Sequence, residues 1–250
     1  MISRPKTDSE VAIMRDGGQK LATILNKLAK MVEPGVKPVD ISAQAAEQIK
    51  KSGMQPVVLG YEGFSDVMCI SVNEAIVHGT PSKKPFKEGD VVKLDLTLGY
   101  KSLITDSALT VIAGQADSKD IQRLVDGTRR ALAVGISAIT GGGTRVGDIS
   151  AAIQKELGNH QLGVIRELVG HGIGYQIHED PNIPNYGVAG RGPVLHPGMT
   201  IAIEPMASLG DWHINILKDK TVVMRDGSIG AHFEHTVLIT QDSAEILTAI

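Results

Sequence analysis

The sequence is poor in aromatic residues and has a single cysteine. Aromatic residues make up 3% of the 250 residues, whereas hydrophobic residues make up 42%. A core must therefore be built mainly from Val, Ile, Leu, Ala and Met. Because Cys69 is the only cysteine, an internal disulfide is excluded, which is typical of a protein from a reducing compartment. We expect a cytoplasmic protein.

Long apolar runs and long basic runs are also lacking. No stretch approaches the roughly 18 apolar residues that a membrane-spanning helix needs, and the first residues lack the apolar segment of a signal peptide. The net charge is −3, and no basic run is longer than the pair Lys83-Lys84. These features argue against membrane insertion and against a nucleic-acid-binding surface. We expect small-molecule or peptide partners instead.

The chain contains one internal repeat. Residues 34–42 recur in outline as residues 142–150, and Asp16-Gly17 recurs as Asp126-Gly127. Apolar spacing followed by a glycine turn predicts two consecutive helices in each copy. The half-repeats would span residues 9–112 and 120–247 of a single domain, residues 1–250. Chance similarity of glycine turns is the alternative, but the matches keep the same order.

The repeat also places acidic residues in equivalent segments. Residues 89–95 match residues 198–204, so that Asp95 and Glu204 end similar apolar segments, and each half has a His-Gly pair, at 78–79 and 171–172. Two halves related by a pseudo-two-fold axis would bring their acids together in one central site.

Residues 141–143, three glycines, are predicted to form an inter-helix turn, because a phosphate loop would end in Gly-Lys-Ser/Thr.

Four carboxylates occur within apolar, strand-like segments. Asp95 belongs to the alternating segment 92–98, and Asp106 belongs to a second strand that follows a turn, so a hairpin sets the two side by side. Glu204 and Glu234 interrupt two further apolar segments. Clustered carboxylates repel one another unless cations compensate. The set therefore suits a pair of divalent ions of the kind used in aminopeptidases.

Two histidines follow in a glycine-rich segment. His171 lies between Gly170 and Gly172, and His178 precedes Glu179. An isolated histidine is usually an ordinary surface or core residue. Two histidines seven residues apart among glycines instead favour a site, because glycine allows close approach of backbone and ligand.

These motifs resemble the type 1 methionine aminopeptidases, which belong to the pita-bread metallopeptidases. The resemblance covers residues 9–247 and rests on residues 170–174, Asn185-Tyr186, residues 203–206 and residues 233–236. It implies an α+β fold of two pseudo-symmetric halves, with a curved antiparallel sheet backed by helices. It also implies removal of the N-terminal methionine from nascent polypeptides that have a small second residue.

The resemblance implies five metal ligands. Asp106 and Glu234 would bridge two divalent ions, Asp95 would complete one site, and His171 with Glu204 would complete the other. A metal-activated water would then attack the scissile carbonyl. The metal can be Mn, Fe, Co or Zn, because carboxylates favour the first and imidazole admits the others.

The resemblance also implies residues that act on the substrate. Glu204 would help to deprotonate the water, His178 would hydrogen-bond the scissile carbonyl, and His78 would contact the scissile amide. An ordinary turn histidine is the alternative for His78. The implied substrate-binding residues are Tyr61, Phe64, Cys69, His78, Ile177 and His178. Nascent peptide N-termini near the ribosome are the implied partners, and a monomer is expected.

Three positions depart from the type 1 pattern. Lys93 stands where a small polar residue is common, and we expect it to pair with a ligand carboxylate. Ile177 and Lys220 stand where bacterial relatives often have aromatic residues, which predicts a less tight methionine pocket.

Three rival assignments are less favoured. Prolidases and Xaa-Pro aminopeptidases usually carry an added N-terminal domain, whereas the first half-repeat here begins at residue 9. The type 2 class generally has a long insertion, whereas 29 residues separate Glu204 from Glu234. A noncatalytic peptide-binding relative would have lost ligands, whereas all five are present.

Overall fold

The computed structural model describes residues 4–250, so the first three residues of the predicted domain lie outside the described part. The helices are α1 (Asp8–Ala29), α2 (Pro38–Ser52), α3 (Lys119–Ser137) and α4 (Val146–Asn159), with one 3-10 turn at Tyr61–Gly63. The first strands are β1 (Gln55–Pro56), β2 (Cys69–Val72), β3 (Ala75–Val77), β4 (Val91–Tyr100), β5 (Leu103–Ile112), β6 (Gly163–Val164), β7 (Val169–Gly172) and β8 (Glu179–Pro184). The remaining strands are β9 (Thr200–Ile203), β10 (Met206–Ser208), β11 (Ile214–Ile216), β12 (Val222–Met224), β13 (Gly230–His232), β14 (Glu234–Ile239) and β15 (Ala244–Ile246).

The strands form one large sheet and two small ones within the described residues. The large sheet has nine strands in the order β1-β4-β5-β14-β9-β7-β8, with β2 also paired to β4 and β15 to β14. The small sheets have the orders β13-β10-β6 and β11-β12-β3. Every pairing is antiparallel. The predicted combination of helices with an antiparallel sheet is present.

Local sequence signals set the helices. The Thr7 side chain accepts a hydrogen bond from the backbone N–H of Glu10, and the Glu10 side chain accepts one from the backbone N–H of Thr7. This capping box begins α1. Between α1 and α2 the chain turns at Gly35, with φ 91°, and between α3 and α4 it turns at Gly141, with φ 107°. The three glycines at 141–143 therefore form an inter-helix turn, as predicted. Among residues 4–250, no helix is both long and apolar enough to cross a bilayer.

The helices cover one face of the large sheet. One core forms where α1 and α2 pack on β4, through side chains such as Leu94, Leu96 and Leu98. A second core forms where α3 and α4 pack on β9 and β14, through side chains such as Ile201 and Val237. Since side chains alternate along a strand, the residues between these apolar positions point to the face without helices. That face carries the candidate site.

The sheet order is symmetric about its middle. The central strands are β5 and β14, β4 and β9 flank them, and β2 and β7 come next. The two His-Gly pairs do not share this symmetry. His171 lies in β7 of the large sheet, whereas His78 follows β3, which belongs to a small sheet. The two His-Gly pairs match in sequence, but a two-residue match does not determine which strands pair. Strand pairing depends on contacts between residues that are far apart in the chain.

Candidate active site

Strand register brings the acids of the central strands together. Asp95 in β4 and Glu234 in β14 both lie opposite Ala108 in β5. Asp106 lies two residues before Ala108 and therefore on the same face of the sheet. Because Ala108 is small, it leaves space between its acidic neighbours. The predicted side-by-side placement of Asp95 and Asp106 on a hairpin follows from this register.

The second half supplies the other two predicted ligands. His171 in β7 lies opposite Ala202 in β9, which lies opposite Thr236 in β14. Glu204 lies two residues beyond Ala202, and Glu234 lies two residues before Thr236, so alternation directs both to the face of His171. All five predicted ligands therefore share one face of the sheet.

The ligand atoms are close enough to hold a cation. Single atoms of Asp106, His171 and Glu234 lie within 4.8 Å of one another, and His171 Nε2 lies 3.6 Å from Glu204 Oε1. The second nitrogen of His171, Nδ1, lies 2.9 Å from the Gly172 carbonyl oxygen. This bond leaves the Nε2 lone pair facing the carboxylates, as in metal sites whose histidines bond a backbone oxygen.

Burial makes the charged form of every carboxylate costly. It raises the pKa of Asp95 well above its usual range, and the nearby Asp106 adds to the effect. Burial also raises the pKa of Asp106 to about 6, although Thr97 donates to its Oδ2 at 2.8 Å. The pKa values of Glu204 and Glu234 are raised by burial first and then by the neighbouring carboxylates.

This donor set fits divalent metal ions. Asp106 Oδ1 is buried and has no hydrogen-bond partner among the described residues. Burial lowers the pKa of His171 to about 4, so its imidazole is neutral and able to ligate at pH 7. Bound cations would offset the mutual repulsion of the carboxylates. Asp106 Oδ1, which has no hydrogen-bond partner among the described residues, could then coordinate a cation.

Glycines on both sides of His171 are required by close packing. A Cβ on Gly170 would collide with the Ala202 carbonyl oxygen, and a Cβ on Gly172 would collide with the Asp180 carbonyl oxygen. These glycines therefore let β7 lie against its two neighbours, β8 and β9. The imidazole is thereby held close to the carboxylates.

Two adjoining cavities open at the site. One has a volume of about 150 Å³ and is lined by Val77, His78, Asp95, Asp106, Leu168, Val169, His171, His178, Glu204, Met206, His232 and Glu234. The other has a volume of about 260 Å³ and is lined by Val58, Tyr61, Glu62, Phe64, Cys69, His78, Asp95, Thr97, Asp106, Ile177, His178 and Lys220. The cavities share two histidines and two aspartates. Every residue predicted to bind substrate lines the larger cavity.

His78 and His178 lie between the cavities. The rings of His171 and His178 meet edge to face with 4.5 Å between centroids, and Tyr61 Oη lies 3.3 Å from His178 Nδ1. Desolvation lowers the pKa of both His78 and His178, and His178 further lowers that of His78. Both imidazoles are therefore neutral at pH 7, and each has one N–H that can donate.

Comparison with known proteins agrees with this geometry. The profile of metallopeptidase family M24 matches residues 12–241. The chain belongs to this family. Methionine aminopeptidase 1 of Bacillus subtilis is 41% identical over 246 residues, which cover 98% of each chain. A methionine aminopeptidase of Mycoplasma capricolum is also 41% identical, with 97% of each chain covered.

Solved structures of known proteins share the fold. The crystal structure of a methionine aminopeptidase from Thermotoga maritima superposes with a TM-score of 0.96 at 45% identity and covers 100% of both chains. The prolidase of Pyrococcus furiosus has a TM-score of 0.78 at 22% identity, and the match covers 98% of this chain but 65% of the prolidase. The predicted pita-bread fold and the predicted resemblance to methionine aminopeptidases are confirmed.

Lys93 does not pair with a ligand carboxylate, so that expectation was wrong. Its ammonium donates to the backbone oxygens of Asn73 at 2.7 Å and Val91 at 3.2 Å. The side chain extends along β4 toward the β2–β3 turn instead of toward Asp95. Because the residue is 1% exposed, burial lowers its pKa to about 7.

The depressed pKa of Lys93 predicts a pH dependence of stability in the metal-loaded protein. Between pH 7 and 10.5 the unfolded state binds a proton that the folded state has lost, so the free energy of unfolding rises with pH. Lys93→Met should remove this rise. Denaturant unfolding at several pH values measures it, with the exposed Lys84→Met as control. An equal slope in wild type and Lys93→Met would contradict the expectation.

Lys220 lines the larger cavity, but its ammonium is turned toward the rim. It donates to the Glu62 backbone oxygen at 2.7 Å and lies 3.2 Å from Glu62 Oε2. This contact ties the β11–β12 turn to the 3-10 turn that carries Tyr61. Trp212, the only tryptophan of the sequence, stacks on His213 with 3.7 Å between ring centroids and does not line that cavity.

Sequence reasoning missed one histidine of the smaller cavity. His232 ends β13, and its Nε2 lies 3.6 Å from Glu204 Oε2 and 4.0 Å from Glu234 Oε2. Burial lowers its pKa to about 3. The available signal was its position two residues before Glu234 in an extended segment, which favours the same face.

Proposed function

We propose that this chain is a metal-dependent aminopeptidase that removes the N-terminal methionine from polypeptides with a small second residue. It would do so by hydrolysing the peptide bond after the methionine. The observation that carries the proposal is the junction of the two cavities. A carboxylate and imidazole cluster able to bind cations adjoins a cavity of about 260 Å³ whose surface is mainly apolar. A side chain held in that space would place its scissile carbonyl beside the cluster.

We propose that two divalent ions are held by Asp95, Asp106, His171, Glu204 and Glu234. When bound, such ions supply an activated water and stabilise the developing oxyanion. The support is the common face of the five side chains and the raised pKa values of the carboxylates. Imidazole and carboxylate ligands together admit Mn, Fe, Co and Zn.

The protein's own groups would handle the proton and the carbonyl. Glu204 lines the smaller cavity, and its Oε1 lies 3.6 Å from His171 Nε2. We propose it as the carboxylate that accepts the proton of the attacking water. Neutral His178 would donate its N–H to the scissile carbonyl oxygen as negative charge develops there. His78 would contact the scissile amide, and its position in the lining of both cavities supports this role.

The larger cavity would hold the methionine side chain. Its wall combines the rings of Tyr61 and Phe64 with the buried Cys69 and the half-buried Ile177. A flexible thioether suits such an apolar wall, because sulfur makes favourable contacts with ring edges. We also propose that the substrates are nascent chains near a ribosome. We further propose that the protein is a cytoplasmic monomer.

Metal analysis and peptide turnover together test the proposed function. We expect the purified protein to bind divalent metal and to release methionine from Met-Ala-Ser. Chelation should abolish turnover, and added metal should restore it. Metal binding without any turnover of Met-Ala-Ser, Met-Gly-Ser or Met-Ser-Ser would instead indicate the noncatalytic peptide-binding alternative.

Ile177→Phe should increase selectivity for methionine. Methionine sulfur gains about 0.3–1.5 kcal/mol from an aromatic neighbour, and Ile177 lines the larger cavity. The ratio of kcat/KM for Met-Ala-Ser to that for Leu-Ala-Ser should therefore rise by about two- to tenfold. Steady-state kinetics on both peptides measures it.

The matched control for Ile177→Phe is Ile216→Phe. Ile216 is 69% exposed and lies outside the cavity, so the same substitution there should leave the ratio unchanged. If Ile177→Phe also left the ratio unchanged, residue 177 would not contact the substrate side chain.

A further inference from the structure

His232 is a buried imidazole that the proposed function does not use. It is 1% exposed and lines the smaller cavity. Neither of its ring nitrogens has a hydrogen-bond partner among residues 4–250. Burying polar nitrogens without partners costs free energy, and native proteins seldom accept that cost. A partner in the working site would remove it.

The nearest carboxylate oxygens indicate that partner. His232 Nε2 lies 3.6 Å from Glu204 Oε2 and 4.0 Å from Glu234 Oε2. The other oxygen of Glu204, Oε1, lies 3.6 Å from His171 Nε2. The Glu204 carboxylate therefore lies between two imidazoles, one beside each oxygen.

The two imidazoles differ in their second nitrogen. His171 Nδ1 is engaged with the Gly172 carbonyl oxygen at 2.9 Å, so Nδ1 carries the proton and Nε2 presents a lone pair. Histidines that ligate metals almost always have such a bond. His232 Nδ1 has none within the described chain. His232 therefore suits the role of an N–H donor to Glu204 and not that of another metal ligand.

The backbone of His232 is fixed. Thr110 Oγ1 donates a hydrogen bond to the His232 carbonyl oxygen at 2.6 Å. The His232 backbone N–H in turn donates to Thr110 Oγ1 at 3.0 Å. Because β13 is anchored to β5 in this way, the imidazole is presented from a defined position. A shift of well under 1 Å by the Glu204 carboxylate would close the gap to hydrogen-bond distance.

We propose that His232 is a positioning residue that donates its Nε2–H to Glu204 Oε2. The bond holds Glu204 with Oε1 on the side of His171 and of the metal ligands. The proposal rests on the function proposed for Glu204 and adds the residue that orients it. Loss of such an outer partner typically weakens metal affinity or activity by about 10- to 100-fold.

Two variants separate the N–H donor from the bulk of the ring. His232→Leu removes the donor, and His232→Gln keeps an amide N–H at similar reach. Calorimetric titration of Mn²⁺ into the apo proteins gives the affinity, and Met-Ala-Ser kinetics give kcat and KM separately. We expect His232→Leu to lose about 10- to 100-fold in Mn²⁺ affinity and in kcat, with KM within about twofold. His232→Gln should recover most of both losses.

The matched control is His235→Leu. His235 is half-buried on the opposite face of β14, where its Nδ1 lies 2.9 Å from Thr248 Oγ1, so its loss should leave Mn²⁺ affinity and kcat within about twofold. If His232→Leu does not fold, His232→Asn, whose amide is one methylene shorter, carries the same expectation.

Either of two results would overturn the positioning role of His232. The first is wild-type affinity and kcat in His232→Leu, and the second is a His232→Gln variant as impaired as His232→Leu. A wild-type protein that binds Mn²⁺ but cleaves no methionyl peptide would refute the proposed function instead, and the Mn²⁺ titrations would still test the hydrogen bond.

Discussion

Glu204→Gln is expected to lower kcat by about 10²- to 10⁴-fold while leaving the fold intact. The substitution keeps the size of the side chain but removes its negative charge and its capacity to accept a proton, and general-base catalysis contributes a factor of this order. Glu204 is partly buried, and its Oε1 faces His171. Turnover of Met-Ala-Ser, metal content and the thermal midpoint, measured on one preparation, test the expectation.

Two further measurements make the Glu204→Gln result specific. Glu245→Gln is the matched control, because Glu245 pairs with Arg15 in a surface salt bridge and its loss should leave kcat unchanged. The variant must also be assayed at saturating metal, since a lost ligand weakens affinity. A kcat within tenfold of wild type, with metal bound, would rule out Glu204 as the proton acceptor.

Removing metal is expected to lower the thermal midpoint by about 5–10 °C for each ion present at 100 times its Kd. In the apo protein the clustered carboxylates lose the cations that offset their repulsion. Glu234→Gln should reduce the difference in thermal midpoint between the metal-loaded and the apo protein. The substitution removes one negative charge from the carboxylate cluster and one proposed ligand from the cation. Calorimetric scans with and without chelator measure both effects.

The apo protein should also lose stability as pH rises. Burial raises the pKa of Asp106 to about 6 and those of Asp95, Glu204 and Glu234 well above their usual range. Above pH 4 the folded state therefore binds more protons than the unfolded state, and the free energy of unfolding falls as pH rises through 6 and beyond. An apo midpoint that is independent of pH between 5 and 8 would show that the four acids do not share one desolvated site.

Much of the site was predictable because it depends on local patterns. Alternation along residues 92–98 placed Asp95 opposite in direction to the leucines, and the short turn before Asp106 predicted the hairpin. The structure pairs these strands over their whole length. Glycines beside His171 predicted a close approach of backbone segments, and β7 does lie tightly against β8 and β9.

Other features depended on contacts that no local pattern encodes. Lys93 shares a strand face with Asp95, yet its long side chain reaches the carbonyl of Asn73 in another segment. His232 belongs to a small sheet, and its approach to Glu204 depends on how that sheet packs against the large one. Side-chain reach and sheet packing are set by the folded chain as a whole.

The sequence by itself determined the helices, the hairpin and the inter-helix turns, because capping, alternation and glycine turns act over a few residues. The five proposed ligands came from the resemblance of its motifs to those of the type 1 methionine aminopeptidases. Only the tertiary structure decided that these side chains share one face, that their desolvation raises the carboxylate pKa values, and that His232 joins them. The physical reason is that strand register and burial arise from pairings between residues more than a hundred positions apart, such as Ala108 with Glu234.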